Sequence, residues 1–389
     1  MQYSDLEALG ARVSLLGFGA MRLPQKSEDP ADVDIDMLRD MVDIAVTGGV
    51  NYFDTAYAYH KGFSEPALRQ ALVERHDRDS YYLADKLAVF LCDRPEDQER
   101  MFETQRERCG VDHFDFYLIH AITDARYEQC LSFGSFAFLR KLRETGAARR
   151  IGFSFHGSPQ LLARVLDEQP GFEFVQLQIN YQDWNALHAA AYHRVAAERG
   201  LPILVMEPVK GGSLANLPPT AAALSAKLST PAEQAAFALR FAASRANVAA
   251  VLSGMTTPEQ VRGNVRLFGT PEMRRFSAEE IELVDRILDE TRKIANVPCT
   301  ACRYCLGACP VGIDIPRIFS VYNEFKRSGV AFHAQYMYSC IEDGRRADAC
   351  IACGACAALC PQGIDIPREL AALHPQLPLM RLVPENDGS

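Results

Sequence analysis

Residues 51–65 read NYFDTAYAYHKGFSE. A short apolar and aromatic run in this stretch ends on Asp54, and small or polar residues lead from there to Tyr59. Such a run, bounded by polar residues, predicts a buried strand that opens into a loop. In barrels and doubly wound α/β proteins, the carboxyl ends of the strands carry the chemistry. Asp54 and Tyr59 are therefore candidate site residues. The alternative is an Asp that caps the next helix and a Tyr that fills a loop.

Strand patterns alternate with helical patterns on both sides of this stretch. Apolar strand segments lie at residues 12–23, 50–54, 80–87, 114–119, 150–153, 174–179, 202–206 and 248–252. Helical periodicity is found at residues 34–47, 66–75, 95–109, 135–144 and 187–199, and helix-start signals stand at Ser158, Thr230 and Thr257. Eight strand–helix units in about 260 residues predict an α/β fold, the (β/α)8 TIM barrel. An open doubly wound sheet is the alternative.

The composition is that of a globular protein, with 48% hydrophobic and 23% charged residues. The formal net charge of −9 argues against nucleic acid or an anionic membrane surface as the main partner. No apolar run approaches the ~18 residues of a membrane helix, and the N-terminus lacks the basic-then-apolar pattern of a signal peptide. We expect a cytoplasmic protein that binds neither nucleic acid nor a membrane.

Two more ionisable residues, Lys86 and His120, end the next two predicted strands. Together with Asp54 and Tyr59 they would face the catalytic rim of a barrel. This set suits carbonyl reduction, because a Lys ammonium stabilises tyrosinate and lowers the pKa of the Tyr from about 10. Asp54 would pair with the Lys, and Tyr59, with or without His120, would protonate the developing alkoxide. Each residue alone is more often a satisfied buried polar group; four at consecutive strand ends favour a site.

Residues 1–290 resemble the aldo/keto reductase family. The matching segments are LGFGAMRLP, NYFDTAYAYHKGFSE, LADKL, DFYLIH, IGFSFHG, VQLQINY, MEPVKGGSL and LSGMTTPEQVRGNV. The resemblance implies that Asp54, Tyr59, Lys86 and His120 form the catalytic tetrad of the family. It also implies a nicotinamide cofactor, bound in an extended conformation over the barrel mouth.

The resemblance further implies contacts with the nicotinamide end of the cofactor. Gln176 matches the glutamine that binds the carboxamide, and Ser154 matches a neighbouring contact. The frequent Ser-Asn pair of the family is Ser154-Phe155 in this chain. Met206 stands where an aromatic residue often stacks on the nicotinamide, so this part of the family pattern is altered.

At the adenosine end, the resemblance implies contacts from Gln260 and Asn264. The Lys and Arg that commonly bind the 2′-phosphate of NADP align with Gly254 and Gln260. The phosphate-binding charges are thus missing at these two positions. NADP and NAD both remain candidate cofactors.

Twelve cysteines are present, and nine of them follow residue 298. In a reducing compartment, patterned cysteines bind metal or do redox chemistry more often than they form disulfides. The pattern C-x2-C-x2-C-x3-C-P begins at Cys299 and again at Cys350, and the segment GIDIPR follows each run. This internal repeat predicts two 4Fe–4S clusters. Zinc is the alternative.

In two-cluster ferredoxins, the fourth cysteine of each run binds the other cluster. We therefore expect a crossed arrangement in this chain. One cluster would be held by Cys299, Cys302, Cys305 and Cys360, and the other by Cys350, Cys353, Cys356 and Cys309. The linker at residues 318–349 has helical apolar spacing, so the tail resembles the α-helical type of ferredoxin domain.

The sequence thus predicts three parts: a barrel at residues 1–276, a connecting helix at 277–296, and a small, mainly α-helical ferredoxin-like domain at 297–389. The predicted function is an NAD(P)-dependent oxidoreductase that moves hydride between the cofactor and a carbonyl or alcohol substrate. The clusters would exchange electrons with a redox partner protein; supply of single electrons to an unusual substrate and a purely structural role are the alternatives. A hydride carries two electrons whereas each cluster takes one, and the participation of a flavin is left open. The alternative is an electron-transfer subunit in which the barrel is only a scaffold.

Overall fold

The computed structural model describes residues 1–27, 29–186, 189–294 and 297–380. The chain forms two compact units. The first contains Met1–Pro208 and Ala238–Phe276, and the second contains Val209–Phe237 and the described residues from Ser277 onward. The predicted domain boundaries stay predictions. Residues 295 and 296 of the expected connecting helix and residues 381–389 of the expected tail lie outside the described residues.

Ten strands are present in the described part of the chain. They are β1 Tyr3–Leu6, β2 Ala11–Ser14, β3 Leu16–Gly19, β4 Tyr52–Asp54, β5 Tyr82–Leu87, β6 Phe116–Ile122, β7 Ile151–Phe155, β8 Phe174–Gln178, β9 Ile203–Met206 and β10 Val248–Ser253. Strands β3 to β10 are parallel and close into a barrel, in which β10 pairs with β3. The predicted TIM barrel is confirmed, and the closed order excludes the open doubly wound sheet.

The strand expected at residues 12–23 is wrong in its extent. The chain instead forms β2, which pairs antiparallel with β1, and then the separate barrel strand β3. The hydroxyl of Ser14 donates a hydrogen bond to the carbonyl of Leu16 at 2.6 Å, and its backbone N–H donates to the side chain of Asn51 at 2.6 Å. Leu15 connects the two strands: its N–H donates to the carbonyl of Gln2, and its carbonyl accepts from the N–H of Val251, so one apolar run contributes to two sheets.

The described residues form sixteen α-helices. They are α1 Ile35–Thr47, α2 Ser64–Leu68, α3 Asp97–Cys109, α4 Asp124–Ser132, α5 Ser135–Thr145, α6 Pro159–Glu168, α7 Asp183–Ala186, α8 Ala189–Glu198, α9 Pro219–Ala222, α10 Pro231–Ala243, α11 Pro258–Phe268, α12 Ala278–Arg292, α13 Ile315–Ser328, α14 Ala331–Ser339, α15 Ala355–Ala358 and α16 Ile366–Leu373. The helix expected at 66–75 is α2 followed by a π-helical turn, Arg69–Val73. The first two residues of the helix expected at 187–199 lie outside the described residues.

Side-chain caps begin several of these helices, as the sequence predicts. The Ser158 hydroxyl accepts from the backbone N–H of Leu161 and starts α6. A full capping box between Thr230 and Glu233 starts α10. Before α11, the Gln260 side chain accepts from the backbone N–H of Thr256 rather than that of Thr257. Each cap satisfies backbone groups that the first helical turn leaves without a partner.

Aromatic side chains fill part of the barrel interior. The ring centroids of Tyr52 and Phe116 are 5.1 Å apart, and those of Phe116 and Phe174 are 5.2 Å apart. All three residues are fully buried. This core closes the barrel inside, so the polar ends of its strands are left to form a site at the rim.

The second unit is mainly α-helical and has a core of its own, which includes Ile318, Phe319, Tyr338 and Leu370. Helices α13 and α14 occupy most of the linker between the two cysteine runs. The expected mainly helical character of the tail is therefore confirmed. Within the described residues, none of the helices has both the length and the apolar character needed to cross a bilayer.

Candidate functional site

Strands β4 and β5 bring Asp54 and Lys86 into contact, because they are parallel neighbours in the barrel. The Lys86 Nζ donates to Asp54 Oδ1 at 2.6 Å and to the carbonyl of Thr55 at 2.7 Å. Both ions are buried, with Lys86 fully inaccessible. Burial raises the pKa of Asp54, and the Lys86 ammonium acts in the opposite direction. The pair is thus a buried ion pair in which the contacts with Lys86 offset part of the desolvation of Asp54.

Tyr59 lies against the same ammonium. The Lys86 Nζ lies 3.3 Å from the Tyr59 hydroxyl oxygen and 4.8 Å from the centroid of its ring. The pKa of Tyr59 is raised well above its ordinary value, first by burial and then by the charges of Asp54 and Glu207. The expected lowering of this pKa is therefore wrong for this arrangement: the phenol is held in its protonated form at neutral pH.

A strained turn follows Tyr59. His60 and Lys61 both adopt left-handed backbone conformations, with φ of 52° and 55°. The His60 ring bridges the turn to an earlier loop: its Nδ1 donates to the carbonyl of Pro30 at 2.7 Å and its Nε2 accepts from the N–H of Leu23 at 2.9 Å. Burial lowers the pKa of His60, against the effect of nearby backbone carbonyls. A neutral imidazole thus secures the loop that carries Tyr59.

His120 lies inside β6 rather than after it. Residues Ile119 and Ile122 face Phe153 and Phe155, so β6 carries one extra residue relative to β7. This is a β-bulge, and Ala121 in it has a φ of 55°. His120 was expected to end its strand, but β6 continues through the bulge to Ile122.

The His120 ring packs edge-on against Tyr59, with centroids 5.8 Å apart, and lies 5.5 Å from the ring of Phe90. Its pKa is lowered well below the ordinary value by burial first, and then by the charges of Lys86 and other basic groups. Among the described residues, no hydrogen-bond partner is found for its buried Nδ1. His120 is therefore a neutral imidazole beside the Tyr59 phenol.

Of the two residues expected at the nicotinamide end, Gln176 contacts the tetrad directly, and Ser154 contacts the residue that follows His120. The Nε2 of Gln176 donates to Asp54 Oδ2 at 3.0 Å. The Oγ of Ser154 accepts from the backbone N–H of Ala121 at 2.7 Å and so supports the bulge next to His120. Both side chains are buried. The structure thus brings these two residues together with the four expected tetrad residues.

The other expected cofactor contacts lie on separate elements. Met206 is the last residue of β9 and is paired with Gln178. Gln260 lies in the first turn of α11, where its side chain caps the helix at Thr256. Asn264 donates to the Ser253 hydroxyl at 3.0 Å, at the end of β10. Met206 thus ends β9, whereas Gln260 and Asn264 follow β10. Their roles as cofactor contacts stay predictions.

A buried acid pair behind Lys86 was missed by the sequence reasoning. The side chains of Asp85 and Glu65 share a hydrogen bond, and burial raises the pKa of both, that of Asp85 far above its ordinary value. Arg108 binds Glu65 at 3.1 Å. The backbone N–H of Lys86 donates to Asp85 Oδ1 at 2.7 Å. These contacts fit a neutral Asp85 and an ionised Glu65. In the sequence, the Asp85-Lys86 pair in LADKL was the available indication of a buried acid next to the lysine.

A second missed feature is the ion pair between Arg22 and Glu207, which measures 2.9 Å. Glu207 directly follows Met206 and has a φ of 54°. Its charge helps to raise the pKa of Tyr59. The sequence contains no spacing rule that joins these residues, because they come from strand ends 185 positions apart.

In the second unit, eight cysteines surround two cavities. One cavity is lined by Cys299, Cys302, Cys305 and Cys360. The other is lined by Cys309, Cys350, Cys353 and Cys356. These are the two sets that the crossed pattern predicts, three cysteines from one run and the fourth from the other. Their role as ligands stays a prediction.

The residues around the cavities fit iron–sulfur clusters. Thiolates are the ligands of such clusters, and the backbone N–H of Ile313 donates to Cys309 Sγ at 3.4 Å. Ala301 and Ala352 have left-handed φ values of 55° and 54° at equivalent places in the two runs. Such conformations in non-glycine residues persist where the surroundings impose them.

A parallel barrel with a Lys, an Asp, a Tyr and a His at one rim, joined to a helical unit with two cysteine-lined cavities, defines an oxidoreductase with an iron–sulfur module. Residues 15–289 match the model of the aldo/keto reductase family, and residues 298–364 match the model of the 4Fe-4S dicluster domain. The chain belongs to the aldo/keto reductase family. Its dicluster domain supports the presence of iron–sulfur clusters.

Relatives with known names agree with this family. An aldo-keto reductase of Mycolicibacterium vanbaalenii is 29% identical over 251 residues, which cover 64% of this chain and 82% of the relative. An L-galactose dehydrogenase of Arabidopsis thaliana is 26% identical over 313 residues, covering 75% and 96%. Among solved structures, the holo form of an aldo-keto reductase from Bacillus halodurans superposes with a TM-score of 0.57 at 22% identity, covering 74% of this chain and 96% of that one.

Proposed function

We propose that the barrel catalyses hydride transfer between NAD(P)H and a small carbonyl or alcohol substrate. The contacts of the buried Lys86 ammonium carry this proposal, because it touches both Asp54 at 2.6 Å and the Tyr59 hydroxyl at 3.3 Å. An ammonium so placed favours a negative charge on the phenol oxygen at the moment when a proton leaves it. An ion pair with a purely structural role would not require a phenol hydroxyl beside the Lys86 ammonium.

In the direction of reduction, the Tyr59 hydroxyl donates its proton to the substrate oxygen. The raised pKa of Tyr59 keeps that proton in place until the oxygen becomes basic. Lys86 stabilises the phenolate that results, and Asp54 holds Lys86 in position. The neutral ring of His120 presents a hydrogen-bonding group next to the phenol, where it orients the same substrate oxygen.

A nicotinamide cofactor, NADP or NAD, supplies or accepts the hydride when bound. Ser154 and Gln176 would hold its carboxamide: the Ser154 hydroxyl has a hydrogen to donate, and the Gln176 amide has an acceptor oxygen besides the Nε2 that binds Asp54. Met206 would contact the nicotinamide ring. Gln260 and Asn264 would lie at the adenosine end.

The cysteines of the second unit would hold two 4Fe–4S clusters, which take up and release single electrons. With them the protein would exchange electrons with a partner protein that carries one electron at a time. Thiolate clusters of this kind suit the reducing cytoplasm. The second candidate function follows from the same cavities: an electron-transfer subunit in which the barrel is a scaffold.

The test uses the full chain, prepared anaerobically with its clusters reconstituted. Oxidation of NADPH and of NADH is followed spectroscopically against a panel of aldehydes, ketones and 2-oxo acids, with the alcohols tested in reverse. The proposal expects carbonyl-dependent oxidation of at least one nicotinamide. Complete inactivity across the panel, together with cluster reduction by a one-electron donor, would instead support the scaffold function.

A further inference from the structure

Both backbone groups of Lys86 bind side chains instead of a neighbouring strand. Strand β4 ends at Asp54, which pairs with Ala84, and the Ala84 carbonyl accepts from the N–H of the residue after Asp54 at 3.0 Å. Alternate residues of a parallel strand face the same neighbour, so Lys86 presents its N–H and carbonyl to the side on which β4 has ended. The N–H donates to Asp85 Oδ1 at 2.7 Å, and the carbonyl accepts from Gln105 Nε2 at 3.1 Å.

The side chains of Asp85 and Gln105 are in turn held by buried partners. Gln105 Oε1 accepts from the Tyr117 hydroxyl at 2.6 Å. Asp85 shares a hydrogen bond with Glu65, whose Oε2 accepts from Arg108 at 3.1 Å. All of these side chains except that of Arg108 are fully inaccessible to solvent. A buried polar frame thus surrounds the backbone of the lysine.

One proton lies between Asp85 and Glu65. Ionised carboxylates only accept hydrogen bonds, so two of them cannot bond to each other. Within the described part of the chain, the buried Oε1 of Glu65 lacks a donor as long as both acids are ionised. Burial is the first cause that raises the pKa of each acid; Arg108 lowers the pKa of Glu65, whereas the Glu65 charge raises that of Asp85 further. The proton therefore resides on Asp85, which donates it to Glu65 while Oδ1 still accepts from Lys86.

This arrangement bears on the position of the Lys86 ammonium. Its Nζ lies 2.6 Å from Asp54 Oδ1 and 3.3 Å from the Tyr59 hydroxyl oxygen. A displacement of about 1 Å at a reacting group can lower a rate by about 10²-fold. Without the shared proton, Asp85 and Glu65 would be two like charges in contact in a buried site, and their repulsion would pull Asp85 away from the lysine backbone.

We propose that Asp85, which shares a proton with Glu65, is a positioning residue for Lys86, and that Gln105 has the same role at the lysine carbonyl. The two side chains fix the strand end from which the ammonium reaches its partners. They act through Lys86 and not on a reacting atom. The inference rests on the proposed hydride-transfer function and adds the residues that hold its cation in place.

The test compares Asp85→Ala with Asp115→Ala in the full chain, prepared anaerobically with its clusters reconstituted. Asp115 is the matched control, because it is buried and its Oδ2 accepts from the N–H of Leu83 on the same strand at 3.0 Å. Each variant leaves one β5 N–H without its acceptor, so both should be less stable in urea. Only Asp85→Ala should lower kcat, by about 10²-fold, with KM retained, because the lysine acts in the chemical step.

Conservative variants separate position from stability. Asp85→Asn should restore kcat, because the amide oxygen accepts from Lys86 and the amide nitrogen donates to Glu65 without a carboxyl proton. Gln105→Leu removes the donor to the Lys86 carbonyl and should also lower kcat. It provides the same comparison if Asp85→Ala does not fold.

Infrared difference spectra examine the shared proton directly. The spectrum of the parent minus that of Asp85→Asn at neutral pH should contain the carbonyl band of a protonated carboxyl group. The corresponding spectrum for Asp115→Asn, which removes a carboxylate paired with Arg78, should lack this band.

The position of the ammonium can also be followed without turnover. In protein isotope-labelled at the lysine side chains, the Lys86 nuclear magnetic resonance signal, assigned with Lys86→Arg, should shift in Asp85→Ala and stay in place in Asp115→Ala. An unmoved Lys86 signal, a parent spectrum without the protonated-carboxyl band, or an unchanged kcat in both Asp85→Ala and Gln105→Leu overturns the inference. A parent without carbonyl-dependent turnover contradicts the proposed function instead, and the two spectra still decide the arrangement around Lys86.

Discussion

The Nε2 of Gln176 donates a hydrogen bond to Oδ2 of Asp54 over 3.0 Å, across 122 positions of sequence. The other carboxylate oxygen, Oδ1, accepts from Lys86. Both oxygens of this buried acid are thus engaged, one by a cation and one by an amide. Gln176, which is expected to bind the cofactor, therefore also holds Asp54, the partner of Lys86, in position.

Replacing Gln176 by Ala should have two effects. It leaves Oδ2 of a buried carboxylate without its donor, which costs about 1–3 kcal/mol of the free energy of unfolding. It should also raise the KM for the nicotinamide, because the carboxamide loses a partner. Urea unfolding and steady-state kinetics measure the two effects. Gln160→Ala, at an exposed position of α6, is the control. Unchanged stability in Gln176→Ala would show that the bond to Asp54 contributes nothing.

Tyr59→Phe should lower carbonyl reduction by about 10²- to 10⁴-fold, since a general acid is removed. Nicotinamide binding should be nearly unchanged, because the phenol acts only as proton donor. Turnover and cofactor titration are measured on the same anaerobic sample. Tyr57→Phe makes the same chemical change two positions earlier and should retain activity. Full activity in Tyr59→Phe contradicts the proposed role.

Anaerobically prepared protein should contain about eight iron atoms and eight acid-labile sulfides per chain, as expected for two 4Fe–4S clusters. Cys360→Ser should damage the cluster held mainly by the first cysteine run, because Cys360 lines the cavity of that run. Cys340→Ser, outside both runs, should keep the full iron content. The crossed arrangement is wrong if Cys360→Ser disturbs only the cluster of the second run, as judged by the spectrum of each cluster.

Gly211→Ala should destabilise the protein more than Gly329→Ala. Both glycines have left-handed backbones, with φ of 64° and 69°, so the backbone strain of about 1–2 kcal/mol is common to both. An added Cβ at Gly211 would overlap the imidazole ring of His333 in α14, whereas one at Gly329 meets nothing within 4 Å. Thermal unfolding measures the difference.

The double variant Gly211→Ala with His333→Ala separates steric overlap from backbone strain. Removal of the ring should return part of the lost stability if overlap is the cause. Purely additive effects of the two changes would contradict a direct contact. The measurement concerns the second unit, since both residues belong to it.

His60 should make the stability fall as the pH is lowered. Its pKa is below the ordinary value of about 6.5 in the folded protein. The unfolded chain therefore takes up the proton first, and the free energy of unfolding decreases below about pH 6.5, by at most about 1.4 kcal/mol per pH unit for this one group. His113 and His120 also have lowered pKa values and contribute in the same direction.

His60→Gln is the informative variant, because an amide can bind both Pro30 and Leu23 without titrating. Unfolding by urea between pH 5.5 and 7.5 should show a shallower decrease of stability in the variant than in the parent. An identical slope in both proteins would mean that His60 accepts its proton in the folded state as readily as in the unfolded one.

Local patterns in the sequence were sufficient for the architecture. Eight apolar segments, each followed by a helical period, determine parallel strands with helical crossovers, and such units close into a barrel. The caps at Ser158 and Ser277 depend on side chains within three positions of each other, so they are legible in the chain itself. The cysteine spacing predicts cluster ligands for the same reason.

Only the tertiary structure decided the details of the site. The bulge at His120 and Ala121 depends on the register between β6 and β7, and no single strand encodes a register. The contact of Asp54 with Gln176 and the shared hydrogen bond of Glu65 with Asp85 join distant positions across packed elements. The pKa of Tyr59 shows the same limit: the residue types suggested a lowering by Lys86, but burial, which is a property of the folded protein alone, raises it.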